Sequence, residues 1–301
     1  MNDAIVPSVS PGQRLRDAWD AQTLVLPGVF NALVAKMAER LGFSAVYMSG
    51  GALSAGNGVP DVGLLTLTDF VNAASEIGRA TSLPLLCDAD TGFGEALNVE
   101  RTVQLFEQAR IAGIHLEDQV LPKRCGHLSG KTVIAPEAMA SKIRAAVGAR
   151  RDPSFVIIAR TDARGVNGFD DAVARARLYV EAGADAIFPE AMQSEDEFAK
   201  FARESQSFPW PEGKPVLLAN NTEFGKSPNL DVATFEKLGY RIVLFPLTAF
   251  RSAMKAAQQT LRDLLDVGHQ RERLPNMLTR SDLYDLLGYL DYEARDQSFF
   301  Q

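Results

Sequence analysis

The sequence predicts a single parallel (β/α)8 barrel, and three observations carry that expectation. Eight short apolar, β-rich runs recur along the 301 residues, each followed by a longer stretch whose apolar residues have helical spacing. The runs are continuously hydrophobic rather than alternating, as strands covered by helices on both faces are. No linker or break in composition divides the chain, which favours a closed barrel over an open doubly wound sheet.

Taken in order, strands are expected at 24–30, 45–49, 84–90, 113–119, 155–162, 186–190, 215–222 and 242–247. Helices are expected between them at 32–41, 67–80, 99–112, 136–147, 172–182, 195–205 and 232–238. Gly42, Gly113, Gly183 and Gly239 each follow an amphipathic run and precede a strand, where a left-handed helix cap is least costly for glycine. Two further helices are expected at 248–267 and 281–296, joined by the charged, proline-containing connector 269–276. The last carries Leu283, Tyr284, Leu286, Leu287, Leu290 and Tyr292, too much apolar surface to stand alone in water. It is expected to pack on another subunit or on the outside of the barrel. Residues 1–301 are therefore read as one barrel domain, with 268–301 as a C-terminal helical extension.

Composition narrows the function classes. There are 31 Lys plus Arg against 38 Asp plus Glu, a formal charge of -7, so no general field attracts polyanions or an anionic membrane surface. Two cysteines, Cys87 and Cys125, cannot staple a secreted domain, and no apolar run approaches the roughly 18 residues of a membrane span. The first residues lack the basic start and apolar core of a signal peptide, which makes the cytoplasm the default location.

In such a barrel the reacting groups gather at the carboxyl ends of the strands. The third strand ends Leu86-Cys87-Asp88-Ala89-Asp90, and alternation puts both aspartates on one face with Cys87 on the other. Two carboxylates on one face repel unless a cation lies between them, and Mg2+ is the simplest candidate; capping of the next helix is the competing reading. Glu117, Arg160, Glu190, Asn220 and Thr222 can face the same mouth from the next four strands. So many charges are costly there unless a cation and an anionic ligand use them. Ser49-Gly50-Gly51 closes the second strand, where absent side chains let backbone N–H groups approach a carboxylate. Cys125 lies in Pro122-Lys123-Arg124-Cys125-Gly126-His127, where cations and an imidazole favour thiolate and suit it to proton transfer. A Cys-His protease would also use such a thiol, but leaves the acids unexplained.

These residues resemble the isocitrate lyase and phosphoenolpyruvate mutase superfamily over nearly the whole chain. The resemblance runs through Ser49-Gly50-Gly51, Gly58-Val59-Pro60-Asp61-Val62-Gly63, Asp88-Ala89-Asp90-Thr91-Gly92-Phe93-Gly94, Leu116-Glu117-Asp118-Gln119, Lys123-Arg124-Cys125-Gly126-His127, Ala159-Arg160-Thr161-Asp162, Phe188-Pro189-Glu190-Ala191 and Ala219-Asn220-Asn221-Thr222. The Lys-Arg-Cys-Gly-His segment sets carbon–carbon lyases apart from the phosphonate-forming mutases of the superfamily, and the short chain and Phe188 set it apart from isocitrate lyases proper. The resemblance implies cleavage of 2-methylisocitrate into pyruvate and succinate, with Mg2+ on Asp88 and Asp90 and Glu117 nearby. It implies a di- or tricarboxylate held by Ser49, Gly50, Gly51, Cys125, Gly126, Arg160, Glu190, Asn220, Asn221, Thr222, Arg251 and Arg280, with Cys125 as proton donor to the succinate carbanion. It also implies a homotetramer, a dimer of dimers that exchange terminal helices. The rivals are a related lyase or decarboxylase acting on oxaloacetate, isocitrate or another 2-alkylmalate, and a catalytically silent carboxylate-binding barrel.

Overall fold

The computed structural model describes residues 9–124, 126 and 130–300. All eight expected strands form: β1 (Leu24–Pro27), β2 (Val46–Met48), β3 (Leu85–Asp88), β4 (Gly113–Glu117), β5 (Val156–Thr161), β6 (Ala186–Pro189), β7 (Leu218–Asn220) and β8 (Ile242–Phe245). The helices are α1 (Pro11–Ala21), α2 (Ala32–Arg40), α3 (Gly50–Gly56), α4 (Leu67–Ala80), α5 (Ala96–Gln108), α6 (Pro136–Ala149), α7 (Phe169–Glu181), α8 (Glu195–Ser205), α9 (Val232–Leu238), α10 (Thr248–Val267), α11 (Arg280–Leu287) and α12 (Tyr289–Ser298).

Every strand pair is parallel. The ladders β2-β3-β4-β5-β6 and β7-β8-β1 are joined by the bridges Gly28 to Tyr47 and Ile187 to Leu217, which close the sheet into an eight-stranded barrel. Alternation sorts the side chains into two apolar layers. Leu24, Leu26, Leu86, Val156, Ile158, Phe188, Leu218 and Leu244 fill the interior, and Leu15 and Trp19 of α1 join them. Leu85, Cys87, Ile114, Leu116, Ile157, Ile187 and Val243 pack outward against Phe70, Val103, Phe106, Ile143, Tyr179, Phe198 and Phe235 of the surrounding helices. Cys87 is thus a buried outward-facing residue of the strand whose inward-facing end is Asp88.

Three local expectations change. Gly42, Gly183 and Gly239 do adopt positive φ, but after α5 that conformation falls to Arg110 (φ 62°), and Gly113 instead begins β4. A β-carbon on Gly113 would lie 2.5 Å from Val156 Cβ, so glycine is needed there for strand approach. Ser49-Gly50-Gly51 is not a bare turn: Ser49 caps α3, its hydroxyl accepting the Ala52 N–H at 3.3 Å. The expected helix at 281–296 is broken into α11 and α12 by Gly288 in the left-handed conformation (φ 66°).

The chain divides into two compact units, Met1–Thr248 and Ala249–Gln301. The first holds all eight strands. The second has no buried side chain in its helices, and Leu261, Leu265, Leu290, Phe299 and Phe300 are among its exposed apolar residues. Among the described residues no helix is long and apolar enough to cross a membrane.

Candidate active site

At the carboxyl ends of the strands a cavity is lined by Tyr47, Ser49, Gly51, Asp61, Asp88, Lys123, Gly126, Arg160, Phe188, Glu190, Asn220 and Thr222, with Leu244, Pro246 and Leu247 as its apolar wall. Asp88 is the last residue of β3. Its Oδ2 accepts the Gly50 N–H at 3.1 Å and its Oδ1 the Asp90 N–H at 2.9 Å. β3 stops there, so alternation does not place Asp90. A left-handed turn does, with φ 45° at Asp90, whose carbonyl accepts the Glu117 N–H at 2.9 Å. The Lys123 ammonium lies 2.8 Å from Asp90 Oδ1 and also pairs with Asp61.

Burial dominates the electrostatics of these acids. Burial, then the Asp88 charge, push Asp90 up to about 7 against the pull of Lys123. Burial also opposes ionisation of Asp88, but His115, Lys123 and Arg160 together hold it below its ordinary range. Glu117 at the end of β4 is pushed well above that range by burial, with Arg160 and Lys123 acting the other way. Burial lowers His115 to about 4, so it is a neutral imidazole, bonded through Nε2 to the Tyr47 hydroxyl at 2.8 Å. Tyr47 is itself raised well above the ordinary phenol, by burial and then by Asp88.

Arg160 of β5 spans the other side. Its guanidinium lies 3.2 Å from Glu117, 3.4 Å from Glu190 and 3.0 Å from Asp162, and stacks 5.1 Å from the centre of the Phe188 ring. Asn220 Nδ2 donates to Glu190 Oε2 at 3.1 Å. Asn221 turns away and donates to the Leu230 carbonyl at 2.8 Å, tying down the segment after β7.

One acid oxygen tests the fit of a cation. Glu117 Oε1 is buried without a hydrogen-bond donor, while Asp90 Oδ1 faces the Lys123 ammonium at 2.8 Å. An uncompensated buried carboxylate oxygen is costly, and a hard divalent ion held by the neighbouring acids would satisfy it. Among the described residues no three acid, His or Cys side chains form an all-protein metal cage. Mg2+ does not require one, since it keeps several waters.

The segment after β4 starts as a paired stem. Val120 N–H donates to the Thr132 carbonyl at 3.0 Å and Ile134 N–H to that of Asp118 at 2.9 Å. Gln119 clamps the Arg124 backbone, accepting its N–H and donating to its carbonyl, both at 2.8 Å. Gly126 is buried against the site: a β-carbon there would lie 2.5 Å from Arg160 Nη2 and 2.6 Å from Glu190 Cγ. Cys125 and His127 lie outside the described residues.

The structure thus brings Ser49, Gly51, Asp88, Gly126, Arg160, Glu190, Asn220 and Thr222 to one cavity, with Gly50 and Asp90 packed behind it. Arg251 and Arg280 belong to the second unit, on α10 and α11. Sequence reasoning read Lys123 only as a neighbour of the thiol, whereas the structure gives it to the acids. Its signal was the odd burial demand of three acids with one arginine.

A closed parallel barrel whose buried acids and arginine meet at its C-terminal rim has the layout of a TIM-barrel enzyme. The chain belongs to the phosphoenolpyruvate phosphomutase family, whose pattern matches residues 15–265. It is similar to 2-methylisocitrate lyase of Aeropyrum pernix, at 52% identity over 291 residues, covering 96% of this chain and 91% of that one. Among solved structures it resembles oxaloacetate acetylhydrolase in complex with 3,3-difluorooxalacetate, with a TM-score of 0.88, 35% identity and coverage of 96% and 97%. It also resembles phosphonopyruvate hydrolase in complex with oxalate and Mg2+, with a TM-score of 0.86, 32% identity and coverage of 97% and 100%.

Proposed function

We propose that this protein is a Mg2+-dependent carbon–carbon lyase that cleaves 2-methylisocitrate into pyruvate and succinate. The observation that carries the reading is the convergence of Asp88, Asp90, Glu117, Arg160 and Glu190 on one buried rim, in a chain 52% identical to a protein of that name. Asp88 and Asp90 would hold the metal, with Glu117 joining through water. When bound, Mg2+ supplies Lewis acidity to the substrate's hydroxyl and adjacent carboxylate.

This chain's own residues do the rest. Ser49, Gly50 and Gly51 present the first turn of α3 to a substrate carboxylate. Arg160, Asn220 and Thr222 face the succinate half, where negative charge develops as the bond breaks, and the fixed guanidinium is suited to stabilise it. Arg251 and Arg280 are the further carboxylate-binding residues that the family resemblance implies. A base must take the hydroxyl proton. Of the cavity residues Tyr47, Asp61 and Glu190, Tyr47 is the poorest candidate, because burial and Asp88 oppose its ionisation, which favours Asp61 or Glu190. Cys125 then protonates the succinate carbanion. The apolar wall of Phe188, Leu244, Pro246 and Leu247 suits the substrate methyl group, a discrimination of about 1–3 kcal/mol.

The exposed apolar faces of α10 to α12 are expected to be covered by a second copy of the chain, in a helix-exchanged dimer paired into a tetramer. A coupled assay of 2-methylisocitrate, isocitrate and oxaloacetate with Mg2+ tests the substrate reading. Pyruvate from 2-methylisocitrate at the highest kcat/KM supports it, and preference for either other acid overturns it.

A further inference from the structure

We propose that Lys131 is a positioning residue for this reaction, tying the backbone at Gly126 to the carboxylate that orients Arg160. The inference rests on the lyase reading above. Lys131 is buried, and its ammonium makes two contacts: Asp162 Oδ1 at 2.6 Å and the Gly126 carbonyl. Asp162, fully buried, in turn accepts from Arg160 twice, at 3.0 Å from Nε and 3.2 Å from Nη2. One carboxylate therefore fixes both the guanidinium at the substrate and the lysine that holds position 126.

Asp162 is anchored from behind. Its N–H donates to Asp118 at 2.9 Å, and Asp118 also accepts from Thr161 and Tyr179 at 2.8 Å each. Arg175 completes this set by donating to the Ile134 carbonyl at 2.8 Å, just beyond the stem that leads to Lys131. Thr161 comes from β5, Arg175 and Tyr179 from α7 and Asp118 from the start of the stem, so the Lys131–Asp162 pair has a rigid base.

A role limited to neutralising Asp162 leaves the second contact unexplained, because Arg160 already binds that carboxylate with two N–H groups. The second contact is to the Gly126 carbonyl, which accepts from the Lys131 ammonium. Gly126 adjoins Cys125 in the chain and packs within a β-carbon's reach of Arg160 and Glu190. Loss of the tie removes the hold on the Gly126 carbonyl, while the Gln119 clamp on Arg124 and the Lys123 ion pairs stay in place on its N-terminal side. Binding of the substrate carboxylates by Arg160 is expected to survive; delivery of the proton from the neighbouring position is not.

The test is Lys131→Met, compared with Lys131→Arg, in two measurements. With 2-methylisocitrate and Mg2+, Lys131→Met is expected to lower kcat about 10- to 100-fold with KM within about threefold, the signature of an interaction made only in the transition state. Trypsin cleavage after the exposed Arg124, followed by the mass of fragment 1–124, is expected to accelerate at least about fivefold, because local opening sets that rate. Lys131→Arg is expected to recover most of both. Should Lys131→Met fail to fold, Lys131→Gln carries the same two measurements with the same expectations. Unchanged kcat, a rise in KM at unchanged kcat, or unchanged cleavage after Arg124 overturns the proposal. If the wild-type chain does not turn over 2-methylisocitrate, the lyase reading fails, and the cleavage measurement still decides the tie.

Discussion

Gly50 and Gly51 are neighbours in the first turn of α3, yet replacing each by alanine should have opposite consequences. A β-carbon at position 50 would lie 2.7 Å from Asp88 Oδ2 and 3.1 Å from Phe70 Cζ, while one at position 51 finds nothing closer than Asp61 Oδ2 at 3.4 Å. The Asp88 carboxylate must therefore move in Gly50→Ala, weakening its 3.1 Å hydrogen bond from the residue-50 N–H. A hydrogen bond to a charged group contributes about 1.5–3 kcal/mol. If that bond is what holds Asp88 in metal-binding position, Gly50→Ala weakens Mg2+ binding about 10- to 150-fold, at about 1.4 kcal/mol per decade. Gly51→Ala gains up to about 1 kcal/mol of helix stability and leaves Mg2+ half-saturation unaltered. Activity measured against free Mg2+, with thermal unfolding of each variant alongside, makes the comparison. Equal half-saturation in the two variants, or a wild-type value in Gly50→Ala, would refute the account of how Asp88 is positioned.

Cys125→Ser is expected to keep substrate and Mg2+ binding by calorimetry but lose most of kcat; an unaltered kcat removes the thiol from proton transfer. Asp90 stands at about 7 in the fold against an ordinary 3.8, so the fold favours its protonated form. The sign follows: its contribution to stability is full below pH 3.8 and is lost as pH rises through about 7. Asp90→Asn should therefore raise the Tm of the metal-free protein relative to wild type at pH 8, a difference shrinking towards pH 4, and it should abolish the Mg2+ response. A difference that grows on acidification would contradict this. Asp118→Ala removes the acceptor shared by Thr161, Tyr179, Arg175 and the Asp162 N–H; urea unfolding should show a loss of about 3–5 kcal/mol, as for breaking a buried ion pair, and a loss under 1 would deny the network its role.

Much of the barrel is legible because burial on both faces leaves a strong signal: each expected strand holds a β-strand, and the spans of α4, α8, α9 and α10 coincide with the periodic stretches. Strand ends were less legible. Alternation puts Asp90 on a pleat, but it sits in a left-handed turn that no alternation rule anticipates. α1 is not legible in the sequence because its charged residues hide the two side chains, Leu15 and Trp19, that it sends into the barrel interior. The acids of the rim were readable from strand ends, since their placement follows from β-geometry. The partners that hold them, Lys123, Lys131 and Asp162, were not, because which cation crosses a loop to reach which carboxylate depends on tertiary approach.

Retro-aldol cleavage at the acidic rim in the presence of Mg2+ is the step that the proposed function requires. The most direct measurement is proton and carbon NMR of 2-methylisocitrate incubated with the protein in D2O, with and without excess chelator. The expected result is equimolar pyruvate and succinate, one deuterium on a succinate methylene carbon, and no turnover once the metal is removed. Intact substrate in the presence of Mg2+, or undiminished product with the chelator present, would contradict it.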